Sequence, residues 1–209
     1  MTKLKSLILC LFMCVSMAFA GLADNASKFV GNITTNGQVR SDFGQYWNQI
    51  TAENECKWAS IEGTRGRYNF TGCKNAYNWA KQNNGYFKFH ALLWGSQYPN
   101  WLEGLSVDDT KTAIMNWFDA VKREFPDIDM IDVVNEAIRT GNNQYHSNYP
   151  KTKIIEAMGG DNGNYTFIVN AFKEARKRWP NAVLIYNDYN TVQWQKNEGI
   201  DLINKIKQG

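Results

Sequence analysis

The chain has 209 residues, 44% hydrophobic and 14% aromatic, which is enough apolar material for one folded domain and unlike a disordered segment. Its formal net charge is only +3, with Lys and Arg scattered rather than gathered into a stripe, so there is no electrostatic footprint for nucleic acid. Eight Trp and ten Tyr supply flat faces that stack on sugar rings as well as on core neighbours.

Residues 1–20 have the form of a secretory signal: Lys3 and Lys5, an apolar stretch from Leu7 to Val15, then Ala18-Phe19-Ala20 ahead of Gly21. Cleavage near Gly21 makes the protein secreted or periplasmic. Lipoprotein processing at Cys10 or Cys14 is the competing reading, but Leu9 and Met13 are not the small residues that such a site prefers. After this leader no apolar run is long enough to span a membrane.

From Phe29 onward, short apolar runs alternate with helical patterns, the signature of repeated βα units in a single domain over residues 21–209. The expected strands are Phe29–Ile33, Gln49–Ala52, Phe87–Trp94, Ile128–Val134 and Ala182–Tyr186, apolar enough to be covered on both faces. Ala76, Trp79 and Ala80 mark a short helix. Ala113, Ile114, Trp117, Phe118, Val121 and Phe125 recur at three-and-four spacing behind Ser106, a cap followed by Asp108 and Asp109. Ile168, Ala171, Phe172, Ala175 and Trp179 repeat the pattern until Pro180, and a last helix carries Leu202, Ile203 and Ile206.

Five such units do not close an eight-stranded barrel, which takes about 250 residues, and an open doubly wound sheet is the alternative architecture. Cys56 and Cys73 are the cysteines outside the leader, and export makes a bridge between them plausible; two unpaired thiols are the alternative. Asn25, Asn32, Asn69 and Asn164 lie in N-x-Ser/Thr sequons.

Polar residues follow each strand at its carboxyl end, where parallel α/β barrels place their catalytic groups. Glu53-Asn54-Glu55 and Lys57 follow the second strand, and His90 and Trp94 to Gln97 lie near the third. Asn135-Glu136 follows the run Met130-Ile131-Asp132-Val133-Val134, and Asn187-Asp188-Tyr189-Asn190 follows the fifth strand. Amides, carboxylates, a lysine, an imidazole and Trp rings around one mouth describe a site for a hydroxyl-rich ligand. No metal-ligand cluster, phosphate loop, nucleophile elbow or cofactor motif competes.

Thr51-Ala52-Glu53-Asn54-Glu55-Cys56-Lys57-Trp58, His90-Ala91-Leu92-Leu93-Trp94-Gly95-Ser96-Gln97-Tyr98-Pro99-Asn100-Trp101, Asp132-Val133-Val134-Asn135-Glu136-Ala137 and Tyr186-Asn187-Asp188-Tyr189-Asn190 resemble, in order and spacing, the motifs of glycoside hydrolase family 10. The resemblance implies a (β/α)8 barrel, here its first five βα units, and an endo-1,4-β-xylanase acting with retention on xylan or xylo-oligosaccharides. It implies Glu136 as general acid/base and Asn135 as the amide that binds the sugar 2-hydroxyl. By the same carry-over Glu53, Asn54 and Lys57 bind glycone hydroxyls, His90, Trp94 and Gln97 line the floor, and Tyr189 serves the leaving-group side.

Two departures are visible. Many members carry His where this chain has Gly95. The family's nucleophile, a Glu in a Thr-Glu-Leu-Asp-like segment at the seventh strand, has no counterpart before Gly209, so these residues taken alone are expected to be inactive and to fold poorly. Retention needs two carboxyl groups about 5 to 5.5 Å apart. Glu53, Glu55 and Asp188 are the rim carboxylates that would have to substitute; Glu53 is assigned to binding, Glu55 alternates away from it, and Asp188 is expected to brace the rim by hydrogen bonds. A catalytically dead carbohydrate-binding protein and a retaining β-1,4-glucanase remain the alternative functions.

Overall fold

A computed structural model describes residues 21–23, 26–139, 144–145, 147–161 and 163–209. The signal-like residues 1–20 and the Asn25 sequon lie outside them. The apolar runs form a parallel sheet: β1 (Gly31–Ile33), β2 (Gln49–Thr51), β3 (Tyr86–Trp94), β4 (Met130–Asn135) and β5 (Val183–Asn187). Spatial order equals chain order, β1-β2-β3-β4-β5, and every pairing is parallel. A doubly wound sheet reverses its strand order at a switch point; this one does not, and its order is that of a (β/α)8 barrel through five strands.

The central strands are covered on both faces: β2 and β4 are buried at every position. The edges depart from the expectation. Gly31 and Ile33 of β1 are exposed, and β5 is only half-buried, with Val183 58% exposed. Each edge strand has one paired neighbour, so its apolar residues lose cover on the outer side. Among the described residues an open groove beside β5 is lined by Val169, Phe172, Leu184, Tyr186, Ile200 and Ile203.

The helices are α1 (Trp58–Ile61), α2 (Thr71–Gln82), α3 (Val107–Glu124), α4 (Ile154–Ala157), α5 (Thr166–Arg178) and α6 (Lys196–Gln208). Ser106 caps α3, its Oγ accepting the Asp109 N–H at 3.1 Å, with Asp108 and Asp109 in the first turn facing the positive end of the helix dipole. The apolar stripe of α3 is buried from Ala113 to Val121. Helix α5 stops at Arg178, one residue before Trp179 turns toward Pro180.

Most of the aromatic wealth is core. Trp58 and Trp117 stack at 5.5 Å, and Phe70, Phe87, Phe89 and Phe125 close around them. The Trp117 and Trp179 indoles donate to the Leu92 and Phe125 carbonyls, both at 2.9 Å, so neither polar tip is stranded. Six of the eight Trp are in the core or packed on it; Trp94 turns to the strand ends and Trp194 is 81% exposed. Cys56 and Cys73 form a disulfide that ties the β2–α1 turn to the first turn of α2.

Candidate functional site

The carboxyl ends of β2 to β5 converge, and the sheet register decides which side chains meet. Trp94 lies opposite Asn135 in the β3/β4 ladder and Asn187 opposite Asn135 in β4/β5. Glu136 follows at once. Its backbone is left-handed, φ 52°, a region that costs a side-chain-bearing residue about 1–2 kcal/mol. The turn is held by β5: the Glu136 N–H donates to the Asn187 carbonyl at 2.9 Å, and the Tyr186 hydroxyl accepts the N–H groups of Ala137 and Ile138 at 2.8 and 2.7 Å. Tyr186 in turn donates to Asp188 Oδ2 at 2.6 Å, which makes Asp188 a brace of the rim. Burial, then the charge of Asp188, holds the Tyr186 proton far more firmly than in a free phenol.

The half-buried Glu136 carboxylate accepts the Trp94 indole N–H at 2.8 Å on Oε2. Lys57 lies over the Trp94 ring, its Nζ 4.8 Å from the centroid, and donates to Asn54 Oδ1 at 2.7 Å. Gln97, also left-handed at φ 31°, donates to the same oxygen at 3.3 Å. Lys57 is 8% exposed. Burial pulls its pKa down from 10.5, and Glu53, Glu55 and Glu136 pull it part of the way back. The acid, the indole, the lysine and two amides thus form one continuous polar run.

Asn135 is buried, and its side-chain amide meets that of Asn187 at 2.8 Å. His90 pairs in register with Asp132, and its Nδ1 is 2.8 Å from Asp132 Oδ2. A carboxylate only accepts, so Nδ1 carries the proton and Nε2 is the nitrogen left for a ligand. Lys88 reaches the same Asp132 oxygen at 3.0 Å, so the fully buried acid has two cationic or donor partners from one face of β3.

Glu53 and Asn54 are exposed at the rim. The Glu53 N–H donates to Thr34 Oγ1 at 2.9 Å, and Thr34 donates onward to Glu55 Oε2 at 2.9 Å, so Glu55 is engaged with β1. Tyr189 is 56% exposed beyond β5; partial burial and the charges of Glu136 and Asp188 raise its pKa. Of the expected site residues, Glu136, Trp94, Lys57, Asn54 and Gln97 are linked directly, and Asn135 and His90 flank them.

Residues 14–209 match the family model described as glycosyl hydrolase family 10. The chain belongs to that family. It is 45% identical over 177 residues, 85% of its length, to endo-1,4-beta-xylanase B of Cellvibrio japonicus, and 34% identical over 81% of its length to endo-1,4-beta-xylanase B of Neocallimastix patriciarum. It spans 28% and 18% of those two relatives. Among solved structures, native xylanase 10C of Cellvibrio japonicus superposes with a TM-score of 0.75 at 26% identity, over 90% of this chain and 43% of that one. Xylanase 10B of Thermotoga petrophila, in complex with xylobiose, gives 0.73 at 26% identity, over 91% of this chain and 59% of that one.

Against the family pattern, Gly95 is the departure that the structure explains in steric terms. A Cβ built there would lie 2.5 Å from Ser147 Oγ, 2.5 Å from Tyr149 Cδ2 and 2.6 Å from the Tyr149 nitrogen. Position 95 has no room for any side chain while this loop is in place. Ser147, Tyr149 and Lys88 are contributors outside the sequence motifs, and Asp132 and Tyr186 stand within the motifs but had no role assigned to them.

Proposed function

We propose that the chain carries the acid/base and the glycone-binding wall of a secreted endo-1,4-β-xylanase that acts on xylan with retention. The observation that carries the reading is Glu136 at the end of β4 with the Trp94 indole N–H on its Oε2, in a chain of this family. Glu136 protonates the leaving glycosidic oxygen and later takes a proton from water. Asn135 binds the 2-hydroxyl, a contact that strengthens in the oxocarbenium-like transition state. Glu53, Asn54 and Lys57 take the glycone hydroxyls, His90, Trp94 and Gln97 form the floor, and Tyr189 serves the leaving group. No cofactor or metal is required.

A retaining mechanism needs a second carboxylate about 5 to 5.5 Å from the first. Asp188 is occupied by Tyr186 and Glu55 by Thr34, and Glu53 belongs to the binding wall, so residues 21–209 by themselves are expected to be inactive on xylan. The test is product analysis with the full-length protein on xylan and on carboxymethylcellulose. Release of xylo-oligosaccharides whose first-formed anomer is β supports the reading. Preference for the glucan would move the assignment to a β-1,4-glucanase, and saturable binding without cleavage to a carbohydrate-binding protein.

A further inference from the structure

We propose that Tyr149 is a positioning residue for the Asn135–Glu136 pair, and that position 95 is glycine because Tyr149 and Ser147 occupy the space that its side chain would need. The proposal rests on the assignment of Glu136 as acid/base.

Tyr149 is fully buried in the loop that follows β4, its ring between Tyr145 at 5.7 Å and Phe167 at 5.9 Å. Its hydroxyl is 2.8 Å from the Asn135 carbonyl and 3.3 Å from the Leu93 carbonyl. A phenol has one proton to give, and the shorter contact is the stronger bond. The Asn135 carbonyl and the Glu136 N–H belong to one peptide group. Tyr149 holds the first and Asn187 the second, the latter at 2.9 Å, so the plane that sets the direction of both side chains is fixed at its two polar ends. Ser147 Oγ adds a 3.3 Å contact to the next carbonyl, that of Glu136.

The same loop atoms crowd Gly95: Ser147 Oγ and Tyr149 Cδ2 stand 2.5 Å from where a Cβ would be. Because the Tyr149 backbone nitrogen is also within 2.6 Å, a side chain at 95 could not be accommodated by turning the ring aside; it would push the loop off the ends of β3 and β4. Tyr149 acts through the backbone, keeping the Glu136 carboxyl directed at the glycosidic oxygen in a left-handed turn that would otherwise relax.

Tyr149→Phe in the full-length protein keeps the ring and removes the grip. On xylan, whose leaving group must be protonated, kcat is expected to fall about 10-fold with KM within about 2-fold, part of the roughly 10²- to 10⁴-fold that a well-placed general acid contributes. For an activated aryl β-xylobioside, whose leaving group needs no proton, kcat/KM reports the glycosylation step alone and is expected to stay within about 2-fold, while kcat can still fall because Glu136 must deprotonate water in the second step. Amide exchange at Glu136 should quicken about 10-fold while Ile131 and Val133, deep in β4, hold their rates. Equal losses of kcat/KM on both substrates, or unchanged exchange at Glu136, would overturn the proposal. If the full-length protein cleaves neither substrate, the acid/base assignment fails, and the exchange rates alone decide whether Tyr149 positions this segment. Gly95→Ala should reproduce the exchange pattern and combine with Tyr149→Phe less than additively; full additivity would separate position 95 from Tyr149.

Discussion

The Trp94 indole N–H donates to Glu136 Oε2 across 2.8 Å, joining the end of β3 to the acid at the end of β4. A donor aimed at a carboxylate contributes about 1.5–3 kcal/mol, and here it also fixes which oxygen faces the cleft. Trp94→Phe keeps a ring under Lys57 and deletes the donor. Its kcat/KM on xylan is expected to fall about 10- to 100-fold, read by steady-state release of reducing ends. An unchanged value would mean that the indole serves only as a surface.

Lys57 is buried at a cost to the fold. Its folded pKa lies below 10.5, so in the range between the lowered value and 10.5 the unfolded chain binds more protons than the folded one. Stability from this group therefore rises as pH rises through that range, and the penalty is full below it. Lys57→Met removes the penalty. The variant is expected to melt a few degrees higher at neutral pH, with the advantage shrinking toward pH 10.5, while xylotriose affinity drops about 10-fold for want of the ammonium. Calorimetric melting across pH checks the sign; a variant that melts lower at neutral pH would show that the three surrounding carboxylates outweigh the burial.

How much of this was legible beforehand depended on whether the signal was local. The strands were readable because each is a short apolar run, and Glu136 because an acid directly follows the most deeply buried of them. Asp132 was hidden by its apolar neighbours, although Lys88 and His90, two apart on β3, already pointed to an acid on the facing strand. Tyr149 left no such trace: it returns to Asn135 from 14 residues away through a loop without periodicity. The edge strands read as fully covered because apolar composition reports what a residue favours and not which neighbour supplies the cover.

The disulfide makes a coupled prediction about stability and binding. Cys56 lies between Glu55 and Lys57, and its bridge to Cys73 closes a separation of 17 residues. Chain-entropy estimates for a loop of this size are about 3 kcal/mol, or very roughly 6–12 °C of melting temperature at about 2–4 °C per kcal/mol. Replacing both cysteines by Ala should produce a drop of that order. It should also weaken xylo-oligosaccharide binding, because the turn that presents Glu53, Asn54 and Lys57 loses its tie to α2. Loss of stability with binding intact would confine the bridge to the scaffold.

Asp132 joins fold and site most directly. Its carboxylate is fully buried, and one oxygen serves both His90 Nδ1 and Lys88 Nζ. Removing one partner of a buried pair costs about 3–5 kcal/mol because the other charge is left uncompensated. Lys88 is 25% exposed and can turn toward water, which places Asp132→Asn near the lower bound, about 3 kcal/mol by urea denaturation. The amide can present either oxygen or NH2 to the imidazole, so the Nδ1 tautomer is no longer imposed and Nε2 loses its fixed role toward a sugar hydroxyl. Xylotriose binding should then weaken about 10-fold. His90→Gln in the Asp132→Asn background should add little to that loss if the two act as one unit; a full second loss would show that His90 binds independently of the acid beneath it.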